Sequence, residues 1–292
     1  MAKLVLGFPN WVAGTTIATP SIDAAGSWLS ALPAINVLEA PLAKVARSSD
    51  ATPPSTQLRI DLGTERHVQV VAIPKSNVST AGRIRATGYS DSGYSVEVVT
   101  TGWVDYWADA YEFGSRVWGA YGLFTPKFTP EDAAGYPPSW SYVLPTLEVA
   151  RYWQIEIDDT ANADGYVELS RVVLAPGWQA SENPTIGGTT IGWESRSRVL
   201  RSRAGVAHVD VLPTQRLAVC SFTAIPEGET FANPFEMARR LGLEGEIFLI
   251  TDPDDTTHAI RRAFLARLRS MPVFAYGEAD RLDFTVELEE IL

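Results

Sequence analysis

Apolar and polar residues alternate in short runs along most of this chain, and the clearest run is Leu58-Arg59-Ile60-Asp61-Leu62, closed by Gly63. Leu58, Ile60 and Leu62 share one face and Arg59 and Asp61 the other, the signature of a strand wet on one side. Residues 152–157 repeat it, with Trp153, Ile155 and Ile157 opposite Tyr152 and Gln154. Each run is followed by a second apolar stretch, at 68–73 and 166–174, so the pattern predicts two antiparallel hairpins bracketing one sandwich. Near the C-terminus, 216–224, 246–251 and 272–276 also read as strands. In 282–288, Leu282, Phe284, Val286 and Leu288 alternate with Asp283, Thr285 and Glu287.

Two helices interrupt these strands. The first is expected after a turn at 226–229, with Asn233 as cap, Pro234 at the first helical position and Glu236 reaching back. It ends at Leu241, where Gly242 can turn left-handed. The second is expected over 257–270, with Ile260, Ala263, Phe264 and Leu268 on one face and Arg261, Arg262, Arg267 and Arg269 off it. The chain therefore reads as mainly β, with one or two helices in its last third.

At 292 residues it is long enough for two domains with separate cores. Pro184, Gly187 and Gly188 break the pattern, which predicts a first domain at 1–178, a linker at 179–190 and a second domain at 191–292. Residues 1–50 form an irregular lead-in with short strands. The net charge of −11 argues against a surface that coats nucleic acid, because phosphate binding needs clustered Lys and Arg. The single cysteine, Cys220, lies in an apolar strand and reads as a core thiol. The N-terminal apolar run is too short for a signal peptide, and no run approaches a membrane helix. Synthesis and folding in a cytoplasm, without membrane insertion, are expected.

Catalytic patterns are few. His67, His208 and His258 lie in no recognisable nucleophile setting, and no nucleophile elbow, phosphate loop, dinucleotide fingerprint or zinc spacing occurs. Carboxylate pairs abound, as in any acidic chain. The expectation is a protein that is not an enzyme and has no cofactor or metal. The cluster Asp252-Pro253-Asp254-Asp255-Thr256-Thr257-His258 could offer metal ligands, but a turn at Pro253 with Asp255 or Thr256 capping the next helix accounts for it.

Two other features call for a partner. Residues 103–142 carry Trp103, Tyr106, Trp107, Tyr111, Phe113, Trp118, Tyr121, Phe124, Phe128, Tyr136, Trp140 and Tyr142. These rings either pack on the domain or a neighbouring subunit, or form a platform for sugar rings. Trp103 to Trp107 can be a further strand. Arg196, Arg198, Arg201 and Arg203 fall in an exposed hairpin, within residues 179–292 that hold 12 Arg, no Lys and 17 acidic residues, a net of −5. Local positive charge on an acidic domain suits docking onto acidic protein surfaces, and a solvated face is the simpler alternative.

The order "L-R-I-D-L-G…V-V-A-I", "I-R-A-T-G-Y-S-D-S-G" and "A-R-Y-W-Q-I-E-I…V-E-L-S-R-V-V-L" resembles the discoidin, or galactose-binding-like, β-sandwich jelly roll over residues 20 to 178. It departs from that family at Gln154, where Arg is frequent, and in the long insertion before Ala150. The ending "A-F-L-A-R-L…V-F-A-Y-G-E-A-D-R-L-D-F-T-V-E-L-E-E-I-L" resembles the tail-tube-related, distal-tail β-sandwich domain of long-tailed bacteriophages, over 190 to 292.

The second resemblance implies a virion structural protein of a siphophage tail tip, assembled in the host bacterial cytoplasm. It would form a homo-oligomeric ring, expected to be hexameric, between the tail tube and the tip or baseplate. Tape measure and tip or hub proteins would be its neighbours. Arg196, Arg198, Arg201, Arg203, Phe284 and Val286 would then serve subunit or ring contacts. The first resemblance implies the alternative, a carbohydrate-binding module that attaches to surface glycans through Trp103, Trp107, Trp118 and Trp140.

Overall fold

The structure is a computed structural model that describes residues 4–13, 18–23, 25–112, 114–115, 117–119, 126–129, 133, 136–184, 188–203, 205–255 and 257–292. Phe113, Tyr121, Phe124, Thr256 and Gly187, named above, lie outside the described residues. The protein is mainly β, with sandwich-like sheets. It divides into two compact units, Met1–Gln179 with Phe248–Phe264, and Ala180–Ile247 with Leu265–Leu292. Residues 248–264, expected with the second domain, are thus counted with the first. Among the described residues no helix is long and apolar enough to cross a membrane.

The first unit contains strands β1 (Val5–Gly7), β2 (Ser21–Asp23), β3 (Ala46–Arg47), β4 (Leu58–Ile73), β5 (Arg83–Tyr89), β6 (Glu97–Thr100) and β7 (Val104–Asp105). It continues with β8 (Trp140–Asp158), β9 (Glu168–Leu169), β10 (Val173–Ala175) and β11 (Gly177–Gln179). Its main sheet runs β10-β4-β8-β5-β6, with β2 also on β4 and β7 also on β5. The alternation read at 58–62 and 152–157 sends Leu58, Ile60, Leu62, Trp153, Ile155 and Ile157 into one core.

The two predicted hairpins are not formed. Residues 58–73 are one strand, β4, paired along its length with β8, and the register shifts between Asp61 and Arg66. Gly63 does not end the strand. At φ +76°, with its N–H on Asp61 Oδ1 at 2.7 Å, it lets the strand continue past that irregularity. The stretch after β8 likewise folds away from it, as β9 on β3 and β10 on β4.

The outer face of the main sheet carries polar pairs under aromatic covers. Arg59 Nε donates to Gln154 Oε1 at 2.7 Å, Arg85 Nε to Glu156 Oε2 at 2.8 Å, and Arg151 makes two bonds to Asp61. The Arg151 side chain holds the Asp61 carboxyl below its usual range against the opposing effect of burial. The rings of Tyr94 and Trp103 lie 4.4 Å from the Arg59 guanidinium and 4.9 Å from that of Arg85. Gln154, where the resemblance expects Arg, is buried here as the acceptor for Arg59.

A smaller set of strands in this unit comprises β11, β1 and residues Phe248–Ile250 of β16 (Ile247–Ile250), with β1 in the middle and wholly buried.

The second unit contains β12 (Thr189–Ser195), β13 (Arg198–Arg201), β14 (Ala207–Asp210) and β15 (Thr214–Pro226). Leu265–Leu268 of β17 (Ala263–Leu268), β18 (Phe274–Glu278) and β19 (Arg281–Glu290) complete it. β19 is flanked by β15 on one side and by β17 and β18 in succession on the other, and β12 lies outside β15. The hairpin read at 272–288 is present as β18 and β19, and Asp280 in its turn has φ 61°.

Both helix expectations need correction. Residues 227–229, expected as a turn, begin a helical stretch that runs through Glu227–Thr230, a wider π segment at Phe231–Phe235, and Glu236–Leu241. Pro234 sits inside it, where the π segment accommodates the missing N–H. Asn233 bonds back to Glu229 O instead of capping, and Glu236 pairs with Arg239 and Arg240. The end at Gly242, φ 56°, is as expected. Over 257–270 the helix is a single turn, Ala259–Arg262, and β17 follows. Ala263, Phe264, Leu265 and Ala266 are all buried in succession, a demand that a one-sided helix does not meet.

Candidate functional site

A cavity of about 420 Å³ opens in the first unit, in the range of small-ligand sites. Three stretches line it: residues 104–109 from β7 onward, 139–143 at the start of β8, and part of 250–263. The aromatic insertion and the aspartate cluster, more than a hundred residues apart in the chain, therefore meet at one place.

Each wall is fixed by ordinary backbone chemistry. β7 pairs with β5, and the Tyr106 N–H donates to Gly82 O at 2.9 Å. Trp107 is anchored by its indole N–H on Val78 O at 2.8 Å and packs against Phe128 at 5.4 Å. Trp140 and Tyr142 stand on β8 opposite Ile73 and Val71. Two positions apart, they share a face, and their rings stack 6.2 Å apart at 18°. The third wall is a turn closed by Asp255, whose Oδ1 accepts the N–H groups of Thr257 at 3.0 Å and His258 at 2.9 Å. This is the turn read from sequence, but not the cap: the single helical turn Ala259–Arg262 starts after His258 and has no side-chain cap bond. The Arg261 guanidinium lies 5.6 Å from the Phe128 ring centroid.

The lining is aromatic and acidic. Asp105, Asp109, Asp252 and Asp255 all contribute to it. Burial raises the Asp109 carboxyl above its usual range, helped by the charge of Asp105 and opposed by Lys127. Burial would raise Asp255 too, but the N–H groups of His258 and Thr257 and the charges of Arg262 and His258 hold it below its usual range. Among the described residues no group of three or more His, Cys, Asp or Glu could hold a metal ion. The chemistry on offer is ring stacking beside carboxylate acceptors. Carboxylates accept hydrogen bonds from hydroxyl or ammonium groups, and Trp and Tyr faces attract C–H groups or cations.

The residues singled out from sequence divide. Trp107 and Trp140 line the cavity, both 5% exposed, so each offers one part of its ring. Trp103 does not line it and covers Arg85, while Trp118 stands 85% exposed. Arg196 lies 3.6 Å from Glu289 of its own unit, in a network where Arg267 also meets Glu289 at 2.6 Å and Arg269 meets Glu194 at 3.2 Å. Arg198 and Arg201 lie on the β13–β14 hairpin and Arg203 in its turn, all exposed. Phe284 and Val286, expected at a subunit contact, are 3% and 0% exposed. Phe284 stacks on Phe222 at 5.0 Å and packs on Phe274 at 5.1 Å, so this face of β19 is occupied within its own unit. Cys220 is fully buried, which pushes its thiol up to about 12, and it offers no reactive thiolate.

Asp105, Asp109 and Tyr142 were not singled out as site residues. The available signal was the interleaving of acids with rings in Trp103-Val104-Asp105-Tyr106-Trp107-Ala108-Asp109.

No family model matches the sequence, and no curated protein matches it. Solved structures with similar folds include a CBM32 module from a family 31 glycoside hydrolase of Clostridium perfringens. It is 9% identical, with 53% of this chain and 93% of that one covered, at a TM-score of 0.35. The family 32 module of C. perfringens NanJ in complex with galactose is 12% identical over 58% and 98%, at 0.36. The lectin domain of lectinolysin complexed with Lewis B antigen is 13% identical over 58% and 98%, also at 0.36. These are likenesses of fold.

Proposed function

We propose that the first unit is a non-catalytic carbohydrate-binding module whose site is the aromatic and acidic cavity. One observation carries this reading: Trp107, Trp140 and Tyr142 line the same 420 Å³ space as four aspartates. A saccharide needs both, because its C–H face stacks on a ring while its hydroxyls donate to acceptors. A glycan array probed with the full chain tests it. The expected result is saturable binding that weakens about tenfold in Tyr142→Ala and Trp140→Ala, the equivalent of one lost ring contact of ~1.4 kcal/mol. No binding to any glycan by the folded parent protein would overturn it.

A second reading is favoured by a separate feature, in the second unit. Every residue of β13 and β14 is exposed, including Val199, Leu200 and Val209, which are 55%, 69% and 55% exposed. The two strands form a sheet of their own, and an isolated two-stranded hairpin is marginal in water. Arg198, Arg201 and Arg203 make no ion pair among the described residues, on a chain of net charge −11. A basic, apolar arm on an acidic chain fits the surface of a second copy.

This supports the homo-oligomeric structural role, with the protein as a distal tail-like component of a phage tail tip, between tail tube and tip proteins. The two readings are compatible, because each rests on a different unit. Light scattering of the purified chain should give an oligomer, expected to be a hexamer. Val199→Ser with Leu200→Ser and Val209→Ser should reduce it to monomer with an unchanged circular dichroism spectrum. A parent protein that stays monomeric at high concentration, and whose arm variant supports normal tail assembly, would remove this reading.

A further inference from the structure

The saccharide reading says nothing about the ligand's charge, and the cavity is unusually one-sided. Among the described residues four aspartates line it, and no Lys, Arg or His does. The balancing cations belong to residues outside the lining. Lys127 Nζ is 3.2 Å from Asp105 Oδ2, and Arg262 Nη1 is 2.5 Å from Asp255 and 3.8 Å from Asp252. His258 Nδ1 is 3.3 Å from Asp255. Asp109 has no ion pair at all among the described residues.

A neutral ligand seated here would take water away from the Asp109 carboxylate without supplying a charge partner, which is costly. A ligand with a protonated amine supplies that partner. The same walls favour it a second time, because Trp and Tyr faces attract a cation within about 6 Å. Trp107, Trp140 and Tyr142 stand on the cavity wall with Asp105 and Asp109.

Resting on the saccharide reading, we infer that this cavity selects amino sugars, with the ammonium group set between the Asp105 and Asp109 carboxylates and the sugar face on the Trp140–Tyr142 stack. Asp109, already half-buried and without an ion pair among the described residues, is the residue that distinguishes amine from hydroxyl.

The test is a calorimetric titration of the full chain with glucosamine and galactosamine, against glucose, galactose and the two N-acetylated amino sugars. At least one free amine should bind tenfold or more tighter than its neutral counterparts, with an affinity that falls as salt is raised. Asp109→Asn should remove that preference, lowering amine affinity about tenfold or more, to that of the neutral sugars on the same variant. If that variant does not fold, the salt dependence of the parent protein decides. Neutral sugars binding as tightly as amines, or salt-independent amine binding, would overturn the inference and leave the saccharide reading standing. Failure of all these sugars to bind, together with an empty glycan array, would remove both.

Discussion

Glu290→Ala should destabilise the second unit by about 3–5 kcal/mol, the loss typical of a buried ion pair stripped of one member. Arg216 and Glu290 are 3% and 8% exposed, on the neighbouring strands β15 and β19. The Glu290 carboxylate accepts the Arg216 backbone N–H at 2.9 Å and pairs with its guanidinium. Deleting the carboxylate takes the opposite charge away from a buried guanidinium. Urea denaturation gives the comparison. The double variant Arg216→Met with Glu290→Leu should recover most of the loss, because neither desolvated charge then remains. A single-variant loss below about 1 kcal/mol, the range of exposed pairs, would show that water reaches this pair in the folded protein. The surrounding pairs of Glu289 with Arg196 and Arg267 are exposed enough to fall in that lower range themselves.

Trp153→Ala should cost the first unit a similar amount, about 3–5 kcal/mol, through lost burial and the cavity left behind. Trp153 is fully buried on β8, between Ile60 of β4 and Gly88 of β5. The indole lies over Gly88 so closely that a Cβ there would sit 3.2 Å from Trp153 Cζ2 and Cη2. Nothing small can collapse into a space held open by two paired strands. Trp153→Phe should retain most of the stability, since the indole Nε1 makes no hydrogen bond that the exchange would lose. A thermal melt of the two variants checks the order. Equal losses for Ala and Phe would mean that the site repacks around any apolar residue.

Much of the fold could be read from period-two alternation, because a strand buried on one face records that face directly in its sequence. Residues 58–62, 152–157 and 282–288 are strands with the inward residues expected of them, and the hairpin of β18 and β19 was legible from its turn. The helix stop at Gly242 was local chemistry as well.

Pairing was another matter. Gly63 looks like a strand end from its neighbours, yet β4 continues past it because β8 pairs with the strand on both sides of the irregularity, at Asp61 and again at Arg66. Residues 263–266 show a helix period that long-range burial overrides, and they become a strand. Arg171, part of a plain apolar run in sequence, is 1% exposed with its guanidinium on Leu38 O, a partner that no local pattern announces.

The site divides along the same line. Its ingredients, an aromatic insertion and an aspartate turn, were each visible in the sequence, and each had a sufficient local account as packing and as a helix cap. The packing account holds for Trp107, whereas Asp255 closes the turn and His258 takes the cap position, with no side-chain cap bond. The tertiary structure alone decided that they line one space, because a cavity is a property of surfaces brought together from distant segments. By itself the sequence determined which residue types face inward and what chemistry each segment could offer. Alternation encodes one strand's two environments, whereas the partner across the gap depends on how the remaining chain closes over it.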